Sequence, residues 1–250
     1  MEGREAGTHA EMREKGTSRI PCGTMDEIRE KRTFFCIYRK KAVILQPNMS
    51  KQPAIIVPEG CTKVLLHACC APCSSAIVEW LLAHQIEPVI YYFNPNIYPQ
   101  EEYEIRKNES KRHAESLGIE WIDGDRWAHA EWLRAVTGLE HEPERGRRCE
   151  ACFYHRLFYT ARKAQELDIP FFATTLASSR WKNLDQVNAA GKRAEEMVNK
   201  YPADSAVHEP VHFWAQNWRK DGLQERRNEL LKEYQFYNQL YCGCEFSIRN

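Results

Sequence analysis

The chain has 250 residues, 43% of them hydrophobic and 28% charged, the balance of a globular protein and not of a disordered one. Its apolar runs fall far short of the roughly 18 residues that span a bilayer, which argues against a transmembrane protein, and the mixed-charge start MEGREAGTHAEMREKG lacks the apolar core of a secretory signal. Lysine plus arginine and aspartate plus glutamate each number 35, so there is no global basic field and any nucleic-acid partner must be held by a local patch.

Residues 1–55 carry dense charge and little periodicity beyond a weak helical stretch around Met25–Thr33, and are expected to form a poorly structured N-terminal extension. Met49 is an alternative start. From residue 56 the chain reads as one α/β domain. KVLLHA (Lys63–Ala68) predicts a short buried strand. Pro72 suits the first turn of a helix that runs to about Gln85. EPVIYYFN (Glu87–Asn94) predicts the second strand, and the prolines of NPNIYP punctuate. A long helix follows over Glu101–Gly118, stopped by its glycine. GIEWID predicts a third strand, RWAHAEWLRAVTG a helix, and LEHEPERGRR a charged loop. A helix opening at Cys149, a fourth strand over Ile169–Leu176, and helices over Leu184–Lys200 and Gly222–Tyr237 complete the series, before a YCGCEFSIRN tail.

Strands that alternate with helices predict a parallel sheet with helices on both faces. In such sheets ligands bind beyond the carboxyl ends of the strands. Two segments fit that location: Cys69–Cys73, directly after the first strand, and Leu176–Trp181, after the fourth.

Ten cysteines are too few for a disulfide scaffold, and with no export signal they point to metal or redox chemistry. Seven of them fall in three groups: Cys69, Cys70 and Cys73; Cys149 and Cys152; Cys242 and Cys244. In HACCAPCSS the cysteines sit where a strand feeds a helix N-terminus, whose free N–H groups stabilise thiolates. The C-x-x-C of RRCEACFYHR has the spacing used for zinc and for iron–sulfur clusters, and also for thiol–disulfide exchange. Together the first two groups hold five cysteines, enough for the four thiolates of a closed site. Arg145, Arg147, Arg148 and Arg156 surround the second group, to offset thiolate charge or to contact phosphates. In YCGCEF the two cysteines suit a labile redox disulfide or metal ligation.

Two further segments combine aromatic, hydroxyl and cationic side chains: YYFNPNIYPQEEYEIR, with Asn94, Asn96 and Arg106, and TTLASSRWKN, with Arg180, Trp181 and Lys182. Such a surface suits a nucleotide or phosphate. There is no G-x-G-x-x-G, no Walker A loop and no H-E-x-x-H. Cysteines stand after the first strand where nucleotide-binding folds place glycines, which argues against a nucleotide cofactor.

LLHACCAPCSS, YYFNPNIYPQEEYEIRKNE, RCEACFYHRL, FATTLASSRWKN and the terminal YCGCEFSIR together resemble the epoxyqueuosine reductases of the QueH type, from about residue 60 to the end. The resemblance implies a fold similar to adenine-nucleotide α-hydrolases (HUP-like) with added C-terminal helices. It implies the last step of queuosine biosynthesis: two-electron reduction of the epoxide of epoxyqueuosine at the tRNA wobble position, in the cytoplasm. It implies that Cys69, Cys70, Cys149 and Cys152 hold a 4Fe-4S cluster and that Cys242 and Cys244 are the redox-active pair. Cys73, aspartate elsewhere in the family, is expected as a catalytic ligand near an adjacent mononuclear iron. Residues 56–250 are then a catalytic iron–sulfur domain, whose partners are tRNA carrying epoxyqueuosine and an unidentified electron donor, with no membrane. Arg147, Arg148, Arg180, Trp181 and Asn94 are expected at the substrate. Tyr241, Glu245 and His67 are candidates for the acid that protonates the leaving oxygen. The rival reading is a zinc-stabilised RNA-binding module without catalysis. Against it stand the third cysteine of the first group and the terminal C-G-C, since four ligands already complete a zinc site.

Overall fold

The computed structural model describes residues 55–124, 127–202 and 208–248. Five parallel strands form its sheet: β1 (Lys63–His67), β2 (Glu87–Tyr92), β3 (Trp121–Asp123), β4 (Phe171–Thr174) and β5 (His212–Phe213), in the spatial order β3-β2-β1-β4-β5. The α/β architecture read from the sequence is the one observed. Among the described residues, six α-helices accompany the sheet: α1 (Ala71–Ala83), α2 (Gln100–Ser116), α3 (His129–Ala135), α4 (Arg147–Glu166), α5 (Leu184–Lys200) and α6 (Leu223–Glu233). Crossovers between parallel strands are right-handed, so α1 and α2, which step from β1 towards β3, cover one face, while α4 and α5, which lead into β4 and β5, cover the other. α6 packs on α1, and α4 packs on α5.

β1 lies at the centre because its residues tolerate burial on both faces: Val64, Leu65, Leu66 and His67 are all at 0% exposure. Its register pairs Leu66 with Ile90 of β2 and with Ala173 of β4. Truncating such a leucine to alanine costs about 2–5 kcal/mol. Between β1 and β4 the order of connection reverses, and this switch point is where open α/β sheets bind ligands. Residues 68–73 leave β1 there, and a 3₁₀ turn (Thr175–Ser178) leaves β4 beside them.

The observed elements depart from the sequence reading mainly at their ends. The third strand shrinks to three residues, the last part of the fourth is the 3₁₀ turn, and α6 stops at Glu233. β5, only two residues long, carries no alternation from which to read it. It docks because Gly191 of α5 has no side chain: a Cβ there would lie 2.3 Å from the Phe213 ring. The expected extension, with the stretch around Met25–Thr33 and Met49, lies outside the described residues except for Ile55. That residue is buried, and its backbone N–H donates to Asp221 Oδ2 at 3.1 Å. Among the described residues no helix is long and apolar enough to cross a membrane.

Candidate functional site

The site starts from the carboxyl end of β1. Ala68 stays in the sheet through its N–H to Tyr91 O, and Cys70 takes the extended N-cap position of α1, with proline in the first turn behind it. The turn aims three sulfurs at one place: the Sγ atoms of Cys69, Cys70 and Cys73 all lie within 4.8 Å of one another, and all three side chains are buried. Thr175, from the turn after β4, accepts from Cys69 N at 3.1 Å and donates its hydroxyl to Cys69 Sγ at 3.4 Å. The two crossover loops are thereby joined at the switch point.

Three such thiols cannot all ionise in one buried volume. Cys69 is held well below the usual thiol range by the sulfur hydrogen bonds of Cys70 and Cys73, with Lys182 and Arg156 adding positive charge. Cys70 is pushed well up by burial and by the charge on Cys69, and Cys73 to about 11, chiefly by its bond to Cys69.

The second cysteine pair opens α4. Cys149 sits in the first turn, where its Sγ accepts the backbone N–H of Arg145 at 3.2 Å, and Cys152 lies one turn on and is buried. Burial pushes Cys149 up to about 11 and raises Cys152, against the opposing charge of Arg156. The third pair arrives from the end of the chain. Cys244 is buried with Cys152, Trp132 and Val136, while Cys242 is exposed. Burial pushes Cys244 up to about 12. Gln239, just ahead of this pair, points its side-chain amide at Cys73 Sγ, 4.0 Å away.

These contacts converge. Arg156 is 2% exposed and faces both Cys69 and Cys152, and Lys182 faces Cys69, Cys73 and Cys242. The positive charges of Arg156 and Lys182 thus act on cysteines of all three groups. All the described cysteines are free thiols. Among the described residues, the buried donors without a hydrogen-bond partner include Trp132 Nε1 and Arg156 Nε, both on side chains that interact with the Cys152 sulfur. Free thiols, cationic side chains and unspent N–H groups turned to sulfur are what a thiolate-ligated metal group requires, so the donor set fits one. The tightest trio is Cys69, Cys70 and Cys73. Cys149 and Cys152, on α4, do not belong to that trio.

The residues expected at the substrate divide into two sets. Arg147, Arg180 and Trp181 are exposed: the Arg180 guanidinium lies 5.3 Å from the centre of the Trp181 ring, which is 68% exposed, and Arg147 pairs with Glu142 at 2.6 Å. Arg148 and Asn94 are instead buried inside the wall. Arg148 spends its guanidinium on the carbonyls of Glu140 and Glu142 and on the Phe246 ring. Asn94 is at 0% exposure, donates to Ala68 O at 2.8 Å and accepts from Arg156. Both therefore brace the cysteine loops and present nothing to solvent. Arg106, read with the phosphate-binding segment, is likewise buried.

Of the three acid candidates, His67 is removed. Its Nδ1 meets Thr174 Oγ1 at 2.8 Å and its Nε2 meets Phe93 O at 3.1 Å, and burial holds it neutral, down to about 3. Tyr241 donates its hydroxyl to Tyr98 O. Glu245 faces His129 Nε2 at 3.1 Å, while His129 Nδ1 meets Pro95 O at 2.8 Å. Sequence reading missed His129 and Trp132, for which the only signal was the density of rings in RWAHAEWLRAV.

Residues 64–250 match the family model described as epoxyqueuosine reductase QueH. The chain is 42% identical over 213 residues to the epoxyqueuosine reductase QueH of Haemophilus influenzae, covering 85% of this chain and 82% of the relative. It is 44% identical over 199 residues to that of Histophilus somni (80% and 77%), and 34% identical over 187 residues to that of Thermotoga maritima (74% and 90%).

Proposed function

The chain belongs to the epoxyqueuosine reductase QueH family, and on that premise we propose that it reduces the epoxide of epoxyqueuosine in tRNA to give queuosine. The observation that carries the reading is the buried trio Cys69, Cys70 and Cys73 at the switch point of the sheet, with the charges of Arg156 and Lys182 acting on cysteines of all three groups. In this reading Cys69, Cys70, Cys149 and Cys152 hold a 4Fe-4S cluster, and Cys73 serves an adjacent mononuclear iron. The order β3-β2-β1-β4-β5, with its loop of cysteines at the reversal, supports the HUP-like assignment. When bound, the iron groups supply one-electron transfer and a Lewis acid for the epoxide oxygen.

The protein's own residues supply the rest. The reaction takes two electrons and two protons, leaves a carbon–carbon double bond and releases the epoxide oxygen as water. Cys242 and Cys244 balance it: two thiols become one disulfide, giving up two electrons and two protons. An external donor then returns the pair to dithiol. Cys242 is the accessible member and Cys244 the buried one, packed against Cys152. Arg156 and Lys182 offset negative charge on the sulfurs. In this reading Glu245, adjacent to Cys244 and paired with His129, passes the proton to the leaving oxygen. Trp181, Arg180 and Arg147 offer an exposed ring and two cations to an RNA loop, whose unstacked bases are open to contact.

Anaerobic turnover of epoxyqueuosine-bearing tRNA, with metal analysis of the same sample, tests this. Cys70→Ala is expected to lose iron and activity together. Cys244→Ser is expected to keep its iron and lose turnover. Zinc in place of iron, or full activity in both variants, rejects the assignment in favour of the zinc-stabilised RNA-binding module or of other roles for these cysteines.

A further inference from the structure

The C-terminal C-G-C segment is held by a buried charge that the reaction chemistry leaves unused. Arg106, on α2, is 2% exposed, and Glu102, one turn earlier, is 8% exposed. Arg106 donates from Nε to Glu102 Oε1 at 2.7 Å, and its Nη2 lies 2.6 Å from the same oxygen. Glu102 Oε2 also accepts from the Tyr237 hydroxyl at 2.8 Å. The other side of the guanidinium points at main chain: Nη1 donates to Cys242 O and Nη2 to Tyr241 O, each at 3.3 Å. The guanidinium carbon also lies 5.2 Å from the centre of the Tyr241 ring.

The fit around the next residue is equally close. Gly243 has φ of +114°, and a Cβ there would sit 3.0 Å from Arg106 Nη1 and 3.1 Å from Ile97 Cγ1. Its carbonyl accepts the backbone N–H of Tyr98 at 2.8 Å. A chain end is poorly ordered unless tied down. Here the ties converge on the main-chain carbonyls of Tyr241, Cys242 and Gly243, directly ahead of Cys244. Burying an ion pair is a weak route to stability, because desolvation offsets the attraction. A planar fork with five donors is, however, well suited to fixing several acceptors at once, which an ammonium is not.

We propose that Arg106, oriented by Glu102, is a positioning residue for the reaction: it fixes the backbone on which the Cys242 and Cys244 thiols ride and so sets their place beside the other cysteines. This rests on the redox role given above to Cys242 and Cys244, and the two claims separate in one experiment.

The test uses the anaerobically purified full chain. Brief alkylation with iodoacetamide, mapped by mass spectrometry, reports the reactivity of each thiol, and kcat and KM are measured with epoxyqueuosine tRNA. In Arg106→Lys, Cys244 is expected to alkylate about tenfold faster, as a local opening of the loop. Cys61, buried near the start of β1 and away from this loop, is expected to keep its protection. Iron content stays at the wild-type level, KM changes little, and kcat falls by about a hundredfold, the cost of a misplacement on the ångström scale. Glu102→Gln, which keeps the guanidinium and loses its orienting charge, is expected to shift both readouts the same way by a smaller factor. If Arg106→Lys exposes Cys61 as well, the fold has loosened and Glu102→Gln decides. Unchanged Cys244 protection in the deciding variant overturns the proposal, and so does unchanged kcat where Cys244→Ser is inactive. If Cys244→Ser keeps turnover while Arg106→Lys still unmasks Cys244, the anchoring stands and the redox role of the pair falls.

Discussion

Cys69, Cys70 and Cys73 show what a single backbone feature accomplishes. A strand ends, proline starts a helix, and three sulfurs are left facing one point within 4.8 Å. The hydrogen bonds of Cys70 and Cys73 make Cys69 the one that ionises, and positive charge from Lys182 and Arg156, far away in the chain, adds to this in a way that no spacing within HACCAPCSS reveals. Another single residue gives a prediction free of the cysteines. His113 is 4% exposed and lies edge-on to Tyr234 and Phe236, and burial lowers it to about 4, with Arg112 adding to the effect. Its folded pKa lies below its unfolded one, so its neutral form belongs to the folded state. The stability this contributes is present above about pH 6.5 and drains away as the pH falls towards 4, by about 1.4 kcal/mol per pH unit. Urea midpoints between pH 7 and 4 are expected to show a steeper decline for the wild type than for His113→Gln. Equal slopes would show that His113 binds a proton alike in both states.

The helices and strands were legible wherever local chemistry and tertiary context agree. α5 runs over Leu184–Lys200, as its periodicity predicts, because one face is apolar and the Asn183 side chain caps its start by accepting from Asp185 N and Gln186 N. The three cysteine groups were legible too, as spacing. The fates of Arg148, Asn94 and Arg106 were not, because a sequence records which side chains are polar and not which are enclosed. Each reads as a surface group and each is spent on main-chain oxygens. β5 shows the reverse, an element too short to recognise that exists because its neighbour makes room. Gly191→Ala tests that packing. Alanine normally gains about 1 kcal/mol in a helix, yet here its methyl would meet Phe213, and overpacking typically costs about 1–3 kcal/mol. A lower denaturation midpoint is expected, restored by Phe213→Leu. A raised midpoint in Gly191→Ala alone would show that Phe213 yields freely.

Across the whole molecule, the architecture does one thing for the chemistry. Cys69, Cys70 and Cys73 are brought together at the carboxyl end of β1, where the connections of the sheet reverse, and Cys152 of α4 packs with Cys244 from the last ten residues of the chain. Membership of the epoxyqueuosine reductase family places the protein in queuosine biosynthesis, and Arg147, Arg180 and Trp181 are exposed, as the proposed contact with tRNA requires. The reading depends on the first two groups sharing a single inorganic centre. Iron and zinc quantified per chain, with the absorption spectrum, on protein purified without oxygen decide that point. A brown protein with about four irons per chain, or slightly more if the adjacent site is filled, is the expected result. Colourless protein carrying zinc and no iron would show that these thiolates do not share an iron–sulfur cluster, and the proposed reaction would lose its centre.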